Sequence, residues 1–352
     1  MKPLLACFAI WAAGAACVTA TDRIYNLPCQ IESFSPSGDG TIVWVSCFDP
    51  GTENTAKGLR AAAWTRPSTL YALDLGSGNV TALRHAFGGI QVIAAPKGSG
   101  AIVVIPREKG NGNPFLYIGK KEISALPIGT EYMIWSADAR KIYFEGGSTL
   151  DADAWNILGM LRLSDFAVSR AELQVPTEDV SICATNGHLF AGIVSFDRLG
   201  NAEPYSAAEY DSELRFIGRN RRIPPGRLSV TCRYAATPGS FSHGPARWRV
   251  IDTATGRQFM SFEFDGEGSH DDFQFVSWNP THDDLLLRFF YPSRPGQPLP
   301  LLQVFDVLNQ RVVDTVSGVA GDAAWSADGS SLMFGKGQSL ISHNVPVRIK
   351  PR

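Results

Sequence analysis

The sequence predicts an all-β chain built from one repeated four-stranded unit, on three observations. A strand–turn–strand pattern recurs at a period near 47 residues, a second hairpin with an Asp-x-x-(Ser/Thr)-Gly turn recurs between its copies, and no helical periodicity of useful length appears. The composition agrees: 44% hydrophobic and 19% charged residues suit a folded chain, and 34 glycines with 22 prolines supply many turns. Thirty-two basic and 34 acidic residues leave a formal charge of −2. No broad positive field results, so DNA and RNA are not expected as partners.

The first element is a targeting segment. Lys2 is a charged start, Leu4 to Ala16 is an apolar run, and Val18-Thr19-Ala20 is a small-residue cleavage site. Residues 1–20 therefore read as a signal peptide and 21–352 as the exported, folded domain, periplasmic or secreted. Thirteen apolar residues are too few to span a bilayer and no later stretch approaches ~18, so no transmembrane segment is expected. Gly14-Ala15-Ala16-Cys17 is loosely similar to a lipoprotein signal, which makes a lipid anchor at Cys17 the minor alternative.

The repeats follow in order. Ser33–Gly38 precedes the strand Ile42-Val43-Trp44, and Ile93–Gly98 precedes Ile102-Val103-Val104. Tyr132–Asp138 precedes Lys141–Phe144, Phe275–Pro280 precedes Leu285–Phe289, and Ala323–Gly329 precedes Ser331–Phe334. Fainter copies surround Cys183 and Cys232. Taking Phe34, Ala94, Trp135, Cys183, Cys232, Trp278 and Trp325 as equivalent gives spacings of 60, 41, 48, 49, 46 and 47 residues, the first lengthened by the polar insertion Gly51 to Pro67. The intervening hairpins start at Tyr71, Met160, Trp248 and Leu302; their Asp bonds nearby backbone N–H groups and their Gly takes the positive φ. Four strands per 40–50 residues is the unit of a β-propeller, whose blades bury against one another the faces they cannot bury alone. The expected architecture is a single propeller of seven four-stranded blades, with six or eight as alternatives.

Trp135-Ser136-Ala137-Asp138 and Trp325-Ser326-Ala327-Asp328-Gly329, each followed by an apolar strand, resemble the WD40-like (PD40-type) repeat of TolB-like propellers. The likeness spans nearly all of 21–352 and implies architecture, not activity. The chain has no room for the α/β domain that precedes the propeller in TolB-like proteins or the hydrolase domain that follows it in prolyl oligopeptidases. The motif tryptophans read as scaffold packed between blades.

Chemistry-bearing motifs are scarce. No Gly-x-Ser-x-Gly elbow occurs; Gly239-Ser240-Phe241-Ser242-His243-Gly244 lacks the glycine two before Ser242. His270-Asp271-Asp272 and His282-Asp283-Asp284 flank one inner strand and stand about 23 Å apart at roughly 3.3 Å per residue, so they cannot share an ion. The second triplet reads as solvated turn chemistry, the first as channel rim. No catalytic set, metal site or cofactor is assigned. Once Cys7 and Cys17 leave with the signal, four cysteines remain. Cys29 and Cys47 flank a hairpin centred on residue 38 and are expected to face each other in a disulfide. Cys183 and Cys232, on adjacent inner strands, are expected as buried free thiols, with a bridge between blades as the alternative. Asn79-Val80-Thr81 is a glycosylation sequon in a turn.

Loops on a rigid scaffold carry recognition. The loops joining the second and third strands of each blade are the long ones and crowd one face. They bring Trp64, Trp155, Tyr205, His243, Tyr291 and Arg294 there, residue types suited to protein, peptide or glycan contacts. His270 at the channel rim and the run Arg219, Arg221, Arg222 and Arg227 are expected on the same face. The function expected is non-enzymatic binding of a protein, peptide or glycan through this face or the channel. The alternative is a propeller lyase or hydrolase, carbohydrate-active, working at the channel mouth near His270 and Arg221.

Overall fold

The structure is a computed structural model and describes residues 22–48, 67–105, 113–126, 132–145, 157–172, 177–196, 202–223, 226–238, 247–263, 273–283, 285–290, 301–319 and 322–345. These residues form seven four-stranded antiparallel sheets. The first holds β2 (Gln30–Pro36), β3 (Ile42–Phe48), β4 (Pro67–Asp74) and β5 (Val80–Phe87). The second holds β6 (Gln91–Ala94), β7 (Gly100–Ile105), β8 (Asn113–Ile118) and β9 (Lys121–Ala125). The third is β10 (Tyr132–Trp135), β11 (Lys141–Glu145), β12 (Ile157–Arg162) and β13 (Val168–Glu172). The fourth is β14 (Thr177–Ile182), β15 (Leu189–Phe196), β16 (Ala202–Tyr210) and β17 (Phe216–Asn220). The fifth is β18 (Arg227–Leu228), β19 (Tyr234–Pro238), β20 (Arg247–Asp252) and β21 (Arg257–Glu263). The sixth is β22 (Phe273–Trp278), β23 (Leu285–Phe290), β24 (Leu301–Asp306) and β25 (Arg311–Ser317). The seventh is β26 (Ala323–Trp325), β27 (Ser331–Lys336) and β28 (Ser339–Asn344), completed on its outer edge by β1 (Arg23–Asn26). The fold is a single all-β β-propeller.

Burial explains which strand goes where. β3 is buried along six of its seven residues and β27 along five of six, because the second strand of a sheet has a neighbouring sheet on both faces. Outer strands such as β9 and β17 are largely exposed. The core is accordingly divided into seven apolar clusters, one at each seam between successive sheets. At the seam of sheets two and three, Ile102, Val104 and Leu116 meet Trp135, Ile142 and Phe144; at the seam of sheets five and six, Tyr234, Val250 and Met260 meet Trp278 and Phe305. The repeat tryptophans are therefore scaffold. Trp135 Nε1 donates to the Ile93 carbonyl at 2.9 Å and Trp278 Nε1 to the Arg227 carbonyl at 2.7 Å, each reaching the inner strand of the preceding sheet.

The sequence pattern Ser-x-Asp builds one turn three times. Ser37, Ser136 and Ser326 donate to Asp39, Asp138 and Asp328 at 2.6–2.7 Å; each Asp accepts the N–H two residues on, and each Ser accepts the N–H five residues on. The side-chain bonds from Ser136 and Ser326, and the backbone N–H bonds beside them, hold Asp138 and Asp328 below the usual carboxylate range against the opposing effect of burial.

β1 closes the ring, with Arg23, Ile24, Tyr25 and Asn26 registered against Ser342, Ile341, Leu340 and Ser339. Four residues without strong alternation carry no visible strand signal. Its closure is pinned by His343 of β28, whose Nδ1 lies 3.1 Å from Asp22 Oδ1 and whose Nε2 lies 2.9 Å from Asp314 Oδ2 on β25. The Asp314 bond, opposed by burial and supported by the charges of both carboxylates, raises the imidazole above its ordinary value.

Cys29 and Cys47 are disulfide-bonded, with Cα atoms 5.7 Å apart. They are not directly opposed, because the hairpin pairs Pro36 with Val43, centred past residue 38, so that even after a bulge between Ile31 and Ser33 it is Ile31 that stands across from Cys47. The expected free thiols are corrected: Cys183 and Cys232 form a second disulfide, Cα–Cα 5.4 Å, tying the first turn of sheet four to that of sheet five. Cys232 has φ +65°, and this left-handed residue ends its turn beside Cys183. Residue spacing could not reveal that approach.

Candidate functional site

Strand direction gives the propeller two unlike faces. The turns joining strands one to two and three to four share one face and are tight. The connections joining strands two to three share the other; six of them span residues 49–66, 106–112, 146–156, 197–201, 239–246 and 291–300, while the seventh sheet has the tight turn Gly337-Gln338.

The tight-turn face is fastened from sheet to sheet. Asp39 N donates to Gly98 O at 3.2 Å, and Gly38 packs so closely on Pro96 that a Cβ would overlap its carbonyl carbon. Asn279 Nδ2 donates to Gly329 O at 2.9 Å, and Lys141 reaches Ser212 O and Glu213. Asp283 accepts from the Thr231 backbone N–H at 2.8 Å and from its hydroxyl. The His282 triplet is thus corrected from solvated turn chemistry: Asp283 joins sheets five and six.

Most sequence-selected residues were expected on the other face. Trp64, Trp155, His243, His270, Tyr291 and Arg294 lie outside the described residues. Tyr205 falls within β16 and not in a connection, since the strand extends back to Ala202. Arg221 and Arg222 are exposed, and the arginine run departs from the expected face. Arg222 Nη1 donates to Ala254 O at 3.2 Å, in the tight β20–β21 turn, and its Cα lies against Gly256. The reason is steric. β17 has only five residues and β18 two, and Ile223 is buried beside the Cys183–Cys232 bridge, which draws the linker back between the sheets.

Within the ring, the inner strands lie side by side: β2 against β6 and β26, β10 against β14, β14 against β18, and β22 against β18 and β26. Their unpaired edges face the central axis. Asp322, immediately before β26, stands beside the inner strand β2 of the first sheet. Its carboxylate accepts the Phe34 N–H of β2, and burial raises it above the usual carboxylate range. The residue nonetheless keeps an open surface. No motif marks Asp322, because its surroundings come from two strands at opposite ends of the chain. Among the described residues no three His, Cys, Asp or Glu side chains form a metal-holding group, and no helix is long and apolar enough to cross a membrane.

Neither protein-family models nor curated proteins give a match to the chain. Among solved structures it is similar to an oligogalacturonate lyase in complex with manganese, at 12% identity and a TM-score of 0.55, covering 92% of this chain and 91% of that one. It is also similar to the C-terminal WD40 domain of Sif2, at 10% identity and a TM-score of 0.48, over 93% and 99% of the two chains. At such identity the likeness is one of fold. In fold, the chain is a β-propeller.

Proposed function

We propose that the chain is an exported, seven-bladed propeller that binds a protein, peptide or glycan through the face bearing its long connections. The supporting observation is the asymmetry of the faces: polar ties run from sheet to sheet on one, while six connections of five to eighteen residues leave the other. A scaffold fixed at one face and elaborated at the other suits recognition. Both disulfides suit an oxidising compartment, and the segment 1–20 accounts for delivery there.

The test is to screen chain 21–352 on glycan and peptide arrays, then measure Kd for a hit with Trp64→Ala, Trp155→Ala, Tyr291→Ala and Arg294→Ala. At least two substitutions weaken it tenfold or more with Tm unchanged. Equal affinity in all four removes this face from the function.

Asp322 supports a second reading, an enzyme acting on a carbohydrate. A carboxyl group whose pKa is raised by burial suits a general acid. Turnover of a polysaccharide that Asp322→Asn abolishes, with a rate falling as pH rises through the Asp322 pKa, would favour the enzyme.

A further inference from the structure

A cleft of about 790 Å³ opens on the tight-turn face at the seam where the seventh sheet meets the first. That size is within the range of about 300–1,000 Å³ typical of small-ligand sites. It lies opposite the long connections, so its role is independent of theirs. Arg23 and Tyr25 of the closing strand line one side, and the Ser-x-Asp turns at Asp39 and Asp328 line the others, with Ser342 and Asn344 between them.

The cleft's polar groups restrict what it can hold. Asp39 Oδ1 takes all three bonds of its turn, from Ser37 Oγ, Thr41 N and Thr41 Oγ1. No turn bond uses its Oδ2. Asp328 repeats the arrangement: Oδ1 accepts from Ser326 Oγ, Ser330 N and Ser330 Oγ, and Oδ2 only shares the Ser330 hydroxyl. Both residues are exposed. Arg23 is exposed too and makes no ion pair among the described residues. Tyr25 is fixed, its hydroxyl donating to Leu75 O across the seam at 3.2 Å, which sets its ring as a wall.

An anion would meet two ionised carboxylates, and a simple cation would leave the guanidinium unanswered. An apolar guest would strip water from all three charges without replacing their hydrogen bonds. The cleft instead offers acceptors that only accept, a fork that only donates, serine and asparagine groups that do both, and one aromatic wall. A neutral molecule dense in hydroxyls, each both donor and acceptor, answers every one of these groups. We infer that the seam between the closing sheet and the first sheet is a binding cleft for a neutral oligosaccharide, with Asp39 and Asp328 accepting from sugar hydroxyls and Arg23 donating to them.

The test uses chain 21–352 and five probes: maltotetraose, cellotetraose and chitotetraose as neutral saccharides, trigalacturonate as an anionic one, and triglycine as a zwitterion. Titration calorimetry is run on the parent and on Arg23→Gln, Asp39→Asn and Asp328→Asn, with melting curves alongside. The asparagine variants keep an Oδ1 to accept the turn bonds, so their Tm stays near the parent value. The expected result is binding of at least one neutral tetrasaccharide, weakened at least tenfold by Arg23→Gln and by one or both asparagine variants. Three results would overturn the inference: no neutral probe binds, a neutral probe binds equally well to all three variants, or trigalacturonate or triglycine binds with higher affinity than every neutral probe.

Discussion

Removing Asp314 from the ring closure tests whether one protonated histidine holds the ends of the chain together. Both nitrogens of His343 face carboxylate oxygens, at 3.1 Å from Asp22 and 2.9 Å from Asp314. A neutral imidazole has one N–H and can satisfy one of them; the imidazolium satisfies both. Because the folded pKa is raised above the unfolded value of about 6.5, the linked stabilisation is complete below pH 6.5 and is lost as pH rises through the folded pKa. The side chains are sheltered, at 14% exposure for His343, 3% for Asp22 and 17% for Asp314. Hydrogen bonds to charged groups contribute about 1.5–3 kcal/mol, so Asp314→Asn is expected to cost about that much at pH 5.5 and much less at pH 9. Urea unfolding at the two pH values gives the difference. Amide exchange of Ile24–Asn26 locates it, since these residues hold the outer edge of the seventh sheet. An equal loss at both pH values, or an NMR titration putting His343 at or below 6.5, would refute the reasoning.

The other predictions concern the scaffold. Cys183→Ser with Cys232→Ser opens a link between residues 49 apart and should cost about 4 kcal/mol in the chain-entropy model, read as a fall in the urea midpoint under non-reducing conditions. Gly38→Ala should cost about 1–3 kcal/mol because its methyl overlaps the Pro96 backbone, whereas Gly78→Ala, with φ +75° but open space around it, should cost nearer 1 kcal/mol; thermal melts rank the two. Asp138 and Asp328 are depressed, so their contribution is present above pH ~4 and is lost as pH falls through the folded values. Both are exposed, so each is worth roughly 0.5 kcal/mol or less, and Asp138→Asn with Asp328→Asn should flatten stability between pH 5 and 2.5 only slightly. Trp278→Phe deletes the indole donor to Arg227 O and should cost about 1–3 kcal/mol, measurable by chemical denaturation.

Several elements were legible because their causes are local. Ser136 and Asp138 make their turn with partners at most five residues away, and Asp74 does the same through Ser77. Each copy therefore appears in the sequence as a recurring string. The register of the first hairpin was not legible: it pairs Pro36 with Val43, centred past residue 38, and so sets Cys29 off its expected partner position while leaving the bridge within reach. The site was the least legible part. The arginine run looked like a loop on the long-connection face, but the burial of Ile223 turned it toward the β20–β21 turn.

From sequence alone came the period, the four-strand unit, the turn chemistry and the packing role of the tryptophans, all set by contacts within one hairpin or by hydrophobic spacing. Tertiary structure decided what depends on residues far apart in the chain: β1 against β28, Asp22 and Asp314 on His343, Cys183 on Cys232, Asp39 and Asp328 on one cleft. The physical reason is that ring closure brings the first and last segments together by geometry, and no local pattern in either one encodes the other.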